Sequence, residues 1–181
     1  MKKTIIVGIV IALLAVSAIT AASPSTFDFG LLNYYRLSDL SETDFTPYTP
    51  GLRFEGHITP WFGVGTDVLL DAPFEGSGDI YTFLITTDLT VRAALGFFEP
   101  FFGFGPAYQL QLDGGTASLA ADVAYNARAG FDFNITDLFT LGLEAKLLLE
   151  HLPLLVEGTS TFADVDWMES TFVGLGVKLK L

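Results

Sequence analysis

Cysteine is absent from the 181-residue chain, which excludes a disulfide scaffold, a zinc ribbon and a cysteine nucleophile. Basic residues are scarce. Nine Lys and Arg stand against 21 Asp and Glu, a formal charge of −12, which is the opposite of what a nucleic-acid-binding protein presents. Charge of either sign is thin at 17%, whereas half of the residues are hydrophobic, so the composition is not that of a disordered chain. Long apolar runs are missing after Ile19. No later stretch can therefore span a bilayer as a helix, and the other structure that satisfies its backbone in lipid is a closed barrel.

The N-terminal stretch holds the one long apolar run. Lys2 and Lys3 precede an uncharged segment from Ile5 to Ile19, followed by the small residues Thr20, Ala21, Ala22 and Ser23 and then Pro24. This is the order of a secretory signal peptide, and it predicts cleavage near Ala22, with residues 1–22 as the signal and residues 23–181 as a single barrel domain. The mature part keeps seven basic residues and all 21 acids, a formal charge of −14. Without cysteine, acylation of the lipoprotein type is excluded, and the exported chain has nothing to oxidise to a disulfide.

The mature chain alternates with period 2 through eight successive segments, each with an apolar and a polar face. In the first, Phe27, Phe29, Leu31 and Tyr35 oppose Asp28, Gly30, Tyr34 and Arg36; in the second, Leu52, Phe54 and Ile58 oppose Arg53, Glu55, His57 and Thr59. The polar faces of the third and fourth hold Asp67, then Thr86, Asp88, Thr90 and Arg92. Those of the fifth and sixth hold Gly103, Gly105, Ala107 and two glutamines, then Asp122, Asn126, Arg128 and Asp132. In the seventh, Leu141, Leu143 and Leu147 oppose Gly142, Glu144 and Lys146. In the last, Val173, Leu175, Val177, Leu179 and Leu181 oppose Gly174, Gly176, Lys178 and Lys180. Arg53, Arg92 and Arg128 each precede a turn and a new strand start at a spacing of about forty residues, one hairpin per repeat in an up-and-down order.

Connections at 59–61, 96–100 and 134–138 are short, whereas 37–50, 71–79 and 150–167 are longer, with 113–117 the brief exception. Outer-membrane barrels show this asymmetry, short turns on the periplasmic side and longer loops outside, which predicts periplasmic termini. Volume decides which face points outward. The apolar face carries roughly forty side chains, while an eight-stranded barrel encloses only enough room for side chains to fill it. The apolar face is therefore expected toward lipid. The polar face then forms a lumen in which Asp28, Arg36, Arg53, Glu55, Asp67, Asp88, Arg92, Asp122, Arg128, Asp132, Glu144, Lys146, Lys178 and Lys180 neutralise one another.

With eight alternating strands behind a signal peptide, aromatics near the turns and the closing strand Phe172-Val173-Gly174-Leu175-Gly176-Val177-Lys178-Leu179-Lys180-Leu181, the chain resembles the small outer-membrane barrels of the OmpA and OmpX type. The resemblance spans the mature chain. It implies that Gly176, Leu179 and Leu181 form the C-terminal signal read by the outer-membrane assembly machinery, with Leu181 standing where that family usually has Phe. A second likeness, through Asp164-Val165-Asp166-Trp167, is to the OmpW type.

Catalytic constellations are thin. His57 points inward beside Glu55 and His151 follows Glu150 at the outer mouth, but no Ser at close spacing completes a nucleophile and base pair. No metal cluster, phosphate loop or cofactor motif is present, so neither a cofactor nor an enzymatic activity is expected. The longer loops carry Asp39, Glu42, Asp44, Glu75, Glu157, Asp164 and Asp166 without Lys or Arg, a set that suits solvated charge and leaves open an extracellular ligand, a divalent cation or basic partner. The expected protein is an integral outer-membrane barrel of a two-membrane bacterium, partnered by outer-membrane lipid, with a closed lumen and a structural or surface-exposed role. A narrow channel or conduit for small apolar molecules, a lipid-modifying enzyme and a soluble lipocalin-like carrier are the alternatives.

Overall fold

The computed structural model describes residues 27–41, 48–70, 80–93, 95–113, 116–119, 124–149 and 166–181. They form an all-β, antiparallel closed barrel of eight staves. The strands are β1 (Phe27–Arg36), β2 (Tyr48–Thr59), β3 (Phe62–Leu70), β4 (Ile80–Arg92), β5 (Phe98–Asp113), β6 (Thr116–Leu119), β7 (Ala124–Asn134), β8 (Phe139–Leu149) and β9 (Thr171–Lys180). A 3-10 turn at Leu37–Ser41 follows β1, and one turn of helix, α1 (Trp167–Ser170), precedes β9. Among the described residues no helix is long and apolar enough to cross a membrane, a statement that does not concern strands.

Each stave pairs with its neighbours in sequence. The barrel closes where β1 meets β9, in a register running from Asp28 opposite Lys180 to Arg36 opposite Phe172. Beyond the ladder, Phe27 and Leu181 exchange backbone hydrogen bonds of 3.0 and 2.7 Å, so both ends of the described chain meet at the short-turn end. The sixth stave comes in two pieces. β5 pairs with β7 over residues 98–107 and with β6 over residues 110–113. Asp122, expected inward on that stave, falls between the pieces and outside the described residues.

Local chemistry sets the turns. Pro60 and Trp61 link β2 to β3 after a register shift between His57 and Thr59, the extra residue of a β-bulge. Gly96 turns the β4–β5 connection at φ 79°, a conformation that costs a residue without Cβ nothing. Asp166 caps α1 by accepting from the amides of Met168 and Glu169 at 3.1 and 3.3 Å. These devices leave the pleat of each strand in phase with the others. One set of side chains faces the bore on all staves, and the opposite set, including Leu52, Phe54, Leu89, Phe102, Phe131, Leu143 and Leu175, is exposed on the outer wall.

Candidate functional site

The inward side chains fill the bore in two layers. The one toward the short turns is ionic. Arg53 on β2 is 1% exposed and touches three carboxylates: Nε donates to Glu55 Oε2 at 2.8 Å, Nη1 to Asp67 Oδ1 at 2.6 Å and Nη2 to Asp88 Oδ1 at 3.1 Å. Arg128 on β7 does the same, with Nε donating to Asp88 Oδ2 at 3.0 Å, Nη2 to Glu55 Oε2 at 3.2 Å and Nη1 to Glu144 Oε2 at 3.3 Å. Thr90 Oγ1 accepts from Arg128 at 2.7 Å and donates to Asp88 at 2.7 Å. Lys146 binds Asp67 and donates to Thr86 Oγ1 at 3.1 Å.

Nearer the short turns, Arg92 donates to Glu55 and lies 3.9 Å from Asp28 and 3.6 Å from Glu99. Lys178 reaches both oxygens of Asp132 at 2.7 Å. His57 Nε2 stands 2.9 Å from Asp28 Oδ2. Lys180, 22% exposed in its side chain, donates to Asn134 Oδ1 at 2.7 Å and lies 3.7 Å from Glu99. Phe101 stands under two cations, Arg128 at 4.6 Å and Lys178 at 4.7 Å from its ring centre. A lone buried ion costs several kcal/mol, so this many charges persist in one bore only because each has a partner of opposite sign.

Toward the longer loops the bore is mainly apolar, with Thr49 opposite Tyr34 and Asn126 opposite Leu148 as buried polar residues within it. Leu32 and Tyr34 from β1, Leu69 from β3, Leu84 from β4, Ala107 from β5 and Phe172 from β9 form one buried cluster. Ala124 of β7 and Leu148 of β8 pack against it. The remaining stave, β2, presents Thr49 and, opposite Leu32, Gly51, and a Cβ on Gly51 would collide with Leu69 Cδ2. Tyr34 joins the two layers, its ring in the apolar one, its hydroxyl donating to Glu144 and the Lys146 ammonium 5.3 Å from its ring centre.

Inward glycines make this filling possible. A Cβ on Gly103 would come within 2.9 Å of Arg128 Nε and of Asp88 Oδ1, and one on Gly176 within 2.9 Å of Leu32 Cδ2. Small residues on one stave thus admit the long side chains of the next. Four buried side-chain atoms lack a protein partner among the described residues: Asp28 Oδ1, Thr59 Oγ1, Arg92 Nε and Asn126 Oδ1.

The barrel can now be set beside known ones. It is similar in fold to the N-terminal β-barrel domain of Pseudomonas aeruginosa OprF, with a TM-score of 0.57 and 12% identity over 86% of this chain and 97% of that one. A de novo designed transmembrane β-barrel gives 0.55 and 14%, covering 88% and 98%. Neisserial surface protein A, NspA, gives 0.51 and 13%, covering 87% and 96%. No family model and no curated protein matches the sequence. The likeness is one of fold.

Of the residues expected to line the lumen, Asp28, Arg53, Glu55, Asp67, Asp88, Arg92, Arg128, Asp132, Glu144, Lys146 and Lys178 are buried in the bore. Arg36 does not join them. As the last residue of β1 it stands beyond the apolar layer, partly exposed, where Nη1 meets Glu169 of α1 at 3.3 Å and the guanidinium lies 5.1 Å from the Phe172 ring centre. Gly176 faces the bore, while Leu179 and Leu181 are exposed on the opposite side. His57 is engaged with Asp28; His151 and the loop acids Glu42, Asp44, Glu75, Glu157 and Asp164 lie outside the described residues. Among the described residues no group of three His, Cys, Asp or Glu could hold a metal ion.

Sequence reasoning passes over Glu99, Phe101 and the apolar layer. The signal for the layer is a set of adjacent apolar residues that break period 2: Leu31-Leu32, Leu69-Leu70, Leu84-Ile85, Leu147-Leu148 and Phe172-Val173. In each pair one member faces out and the other fills the bore.

Proposed function

We propose that this chain is an integral outer-membrane barrel of a two-membrane bacterium, exported by the signal peptide at residues 1–22. Its lumen is closed, and its role is structural or surface-exposed rather than catalytic or porin-like. The observation that carries the reading is the inversion of the usual globular pattern. Large apolar side chains are exposed on the outer wall, while eleven of the charges expected in the lumen are buried inside. Water would penalise such a wall, and lipid favours it. A soluble carrier of this fold would present the reverse. Apart from the four-residue β6, the strands run from 9 residues in β3 to 16 in β5, lengths that also suit an apolar bilayer core.

Outer-membrane lipid is then the main partner of the wall. Gly176, Leu179 and Leu181 act as the segment recognised by the assembly machinery, and the acidic loops face the outside. Fractionation of expressing cells, followed by electrophoresis of unheated and boiled samples, tests the reading. The expected result is sedimentation with outer membranes and a mobility change on boiling; a monodisperse protein stable without detergent would overturn it.

A further inference from the structure

We propose that the barrel associates with a second copy of itself through the β1 face of its wall, the two Asn33 carboxamides hydrogen-bonding to each other across a two-fold axis parallel to the barrel axis. The proposal rests on the membrane-barrel reading and adds a partner to it.

The outer wall is apolar with few exceptions. Between the short turns and the paired tyrosines Tyr35 and Tyr48, the polar side chains on the outward faces of the described strands are Asn33, Thr66 and Thr87. The two threonines lie opposite each other on β3 and β4 with their hydroxyls 3.3 Å apart, one donating to the other. Asn33 has no such neighbour. It is exposed, and its carboxamide makes no hydrogen bond among the described residues. Its row places it inside the apolar belt. Asn33 pairs with Leu175, Leu175 with Leu143 and Leu143 with Phe131, while Val173 and Leu147 continue the apolar wall toward the longer loops.

A carboxamide carries two N–H donors and an acceptor oxygen, and hydrocarbon offers a partner to neither. Tyr35, the next outward residue of β1, stands between Asn33 and the interface at which tyrosines gather. The group that satisfies Asn33 must therefore combine a donor with an acceptor and lie at the same depth. A second copy does so by symmetry. A two-fold axis along the membrane normal sets identical residues at identical depth, and each carboxamide then donates to the other while accepting from it.

The shape of the wall agrees. In the β1–β2 register Asn33 and Pro50 form a row of short side chains between Leu31 with Leu52 and Tyr35 with Tyr48. Leu31 and Leu175, the neighbours of Asn33 along and across the strands, are each 58% exposed. Two walls can approach closely at the short row and pack their leucines beside the amide pair, as small and polar residues join membrane-spanning segments elsewhere.

The test uses the full-length chain, exported, purified and reconstituted in phosphatidylcholine vesicles. Because the chain has no cysteine, Asp137→Cys in the exposed β7–β8 turn gives one site for a donor or an acceptor dye. Energy transfer between labelled copies should fall on lipid dilution along the curve of a dimer, and Asn33→Leu in the same background should weaken association on the order of tenfold. The substitution should also raise the urea midpoint of the monomer in dilute micelles, since it removes a lipid-facing amide that the barrel itself does not use. The face is read separately. Leu31→Cys, two residues from Asn33, should be joined to its copy by a short thiol-reactive cross-linker, whereas Leu89→Cys, 56% exposed on β4, should not.

Energy transfer absent from the parent, association of Asn33→Leu equal to the parent's, a lowered midpoint in that variant, or joining of Leu89→Cys as readily as Leu31→Cys would each overturn the pairing while leaving the membrane barrel standing. Failure of the parent to remain with the membrane or to shift on boiling would overturn the barrel reading instead.

Discussion

Gly65 and Arg53 share one volume of the bore: a Cβ on Gly65 would stand 2.7 Å from Arg53 Cζ. Gly65 is opposite Glu55 in the β2–β3 register, one inward step from the pairing of Arg53 with Asp67, so the guanidinium must cross the glycine to reach Asp67 and Asp88. Overfilling a packed interior costs about 1 to 3 kcal/mol, and Gly65→Ala is expected to fall in that range. Urea unfolding in detergent micelles measures it. An unchanged midpoint would mean that Arg53 lies elsewhere.

Arg53 itself carries a larger expected effect. Removing one member of a buried ion pair costs about 3 to 5 kcal/mol, because the partner is left charged without compensation. Arg53→Ala leaves Glu55, Asp67 and Asp88 with one cation fewer and should lower stability by that amount. Arg36→Ala is the internal comparison. Its pair with Glu169 is solvent-exposed, and such pairs contribute about 1 kcal/mol or less. Equal losses in the two variants would show that the bore is hydrated throughout.

The outer wall offers a test of orientation. Leu143 on β8 is 49% exposed and flanked across the ladder by Phe131 and Leu175, so it lies within the apolar belt. Leu143→Arg should cost about 2 to 4 kcal/mol in lipid vesicles if the site lies near the midplane, whereas Asp137→Arg in the exposed β7–β8 turn should change little. The same pair of variants in a soluble protein would be nearly equivalent, since both sites would face water.

Charge makes the ionic half of the lumen legible in the sequence. Lys, Arg, Asp and Glu fall on one face of an alternating strand, and their type alone says which face cannot meet lipid. Apolar residues carry no such mark. Leu32, Leu69, Leu84 and Phe172 each sit beside an outward-facing apolar neighbour, so alternation assigns one member of the pair and is silent on the other. Glu99 and Phe101 are hidden for a related reason: the segment Phe97-Phe98-Glu99-Pro100-Phe101-Phe102 reads as an aromatic turn, whereas β5 begins at Phe98 and turns Glu99 and Phe101 inward. Arg36 shows the opposite failure. Its parity is that of the lumen, but the strand ends there, and height along the bore is not written in alternation.

Closure depends on the last three residues. Leu179 pairs with Phe29 on β1 and with Phe139 on β8, Lys180 pairs with Asp28, and Leu181 exchanges two backbone hydrogen bonds with Phe27. An open edge in lipid strands backbone groups at a cost of several kcal/mol each, so a chain that cannot make these bonds has no stable inserted state. Register is equally constrained, because a slip of one residue would turn Lys178 and Lys180 into the wall. Deleting Leu179 to Leu181 is therefore expected to leave periplasmic, protease-sensitive chain, and Leu181→Phe, which keeps both backbone bonds and the outward apolar position, should assemble at least as well as the parent. Protease protection in fractionated cells reads both outcomes. A heat-modifiable barrel from the truncated chain would mean that β9 closes on β1 without its final turnward bonds, and that the segment serves neither closure nor recognition.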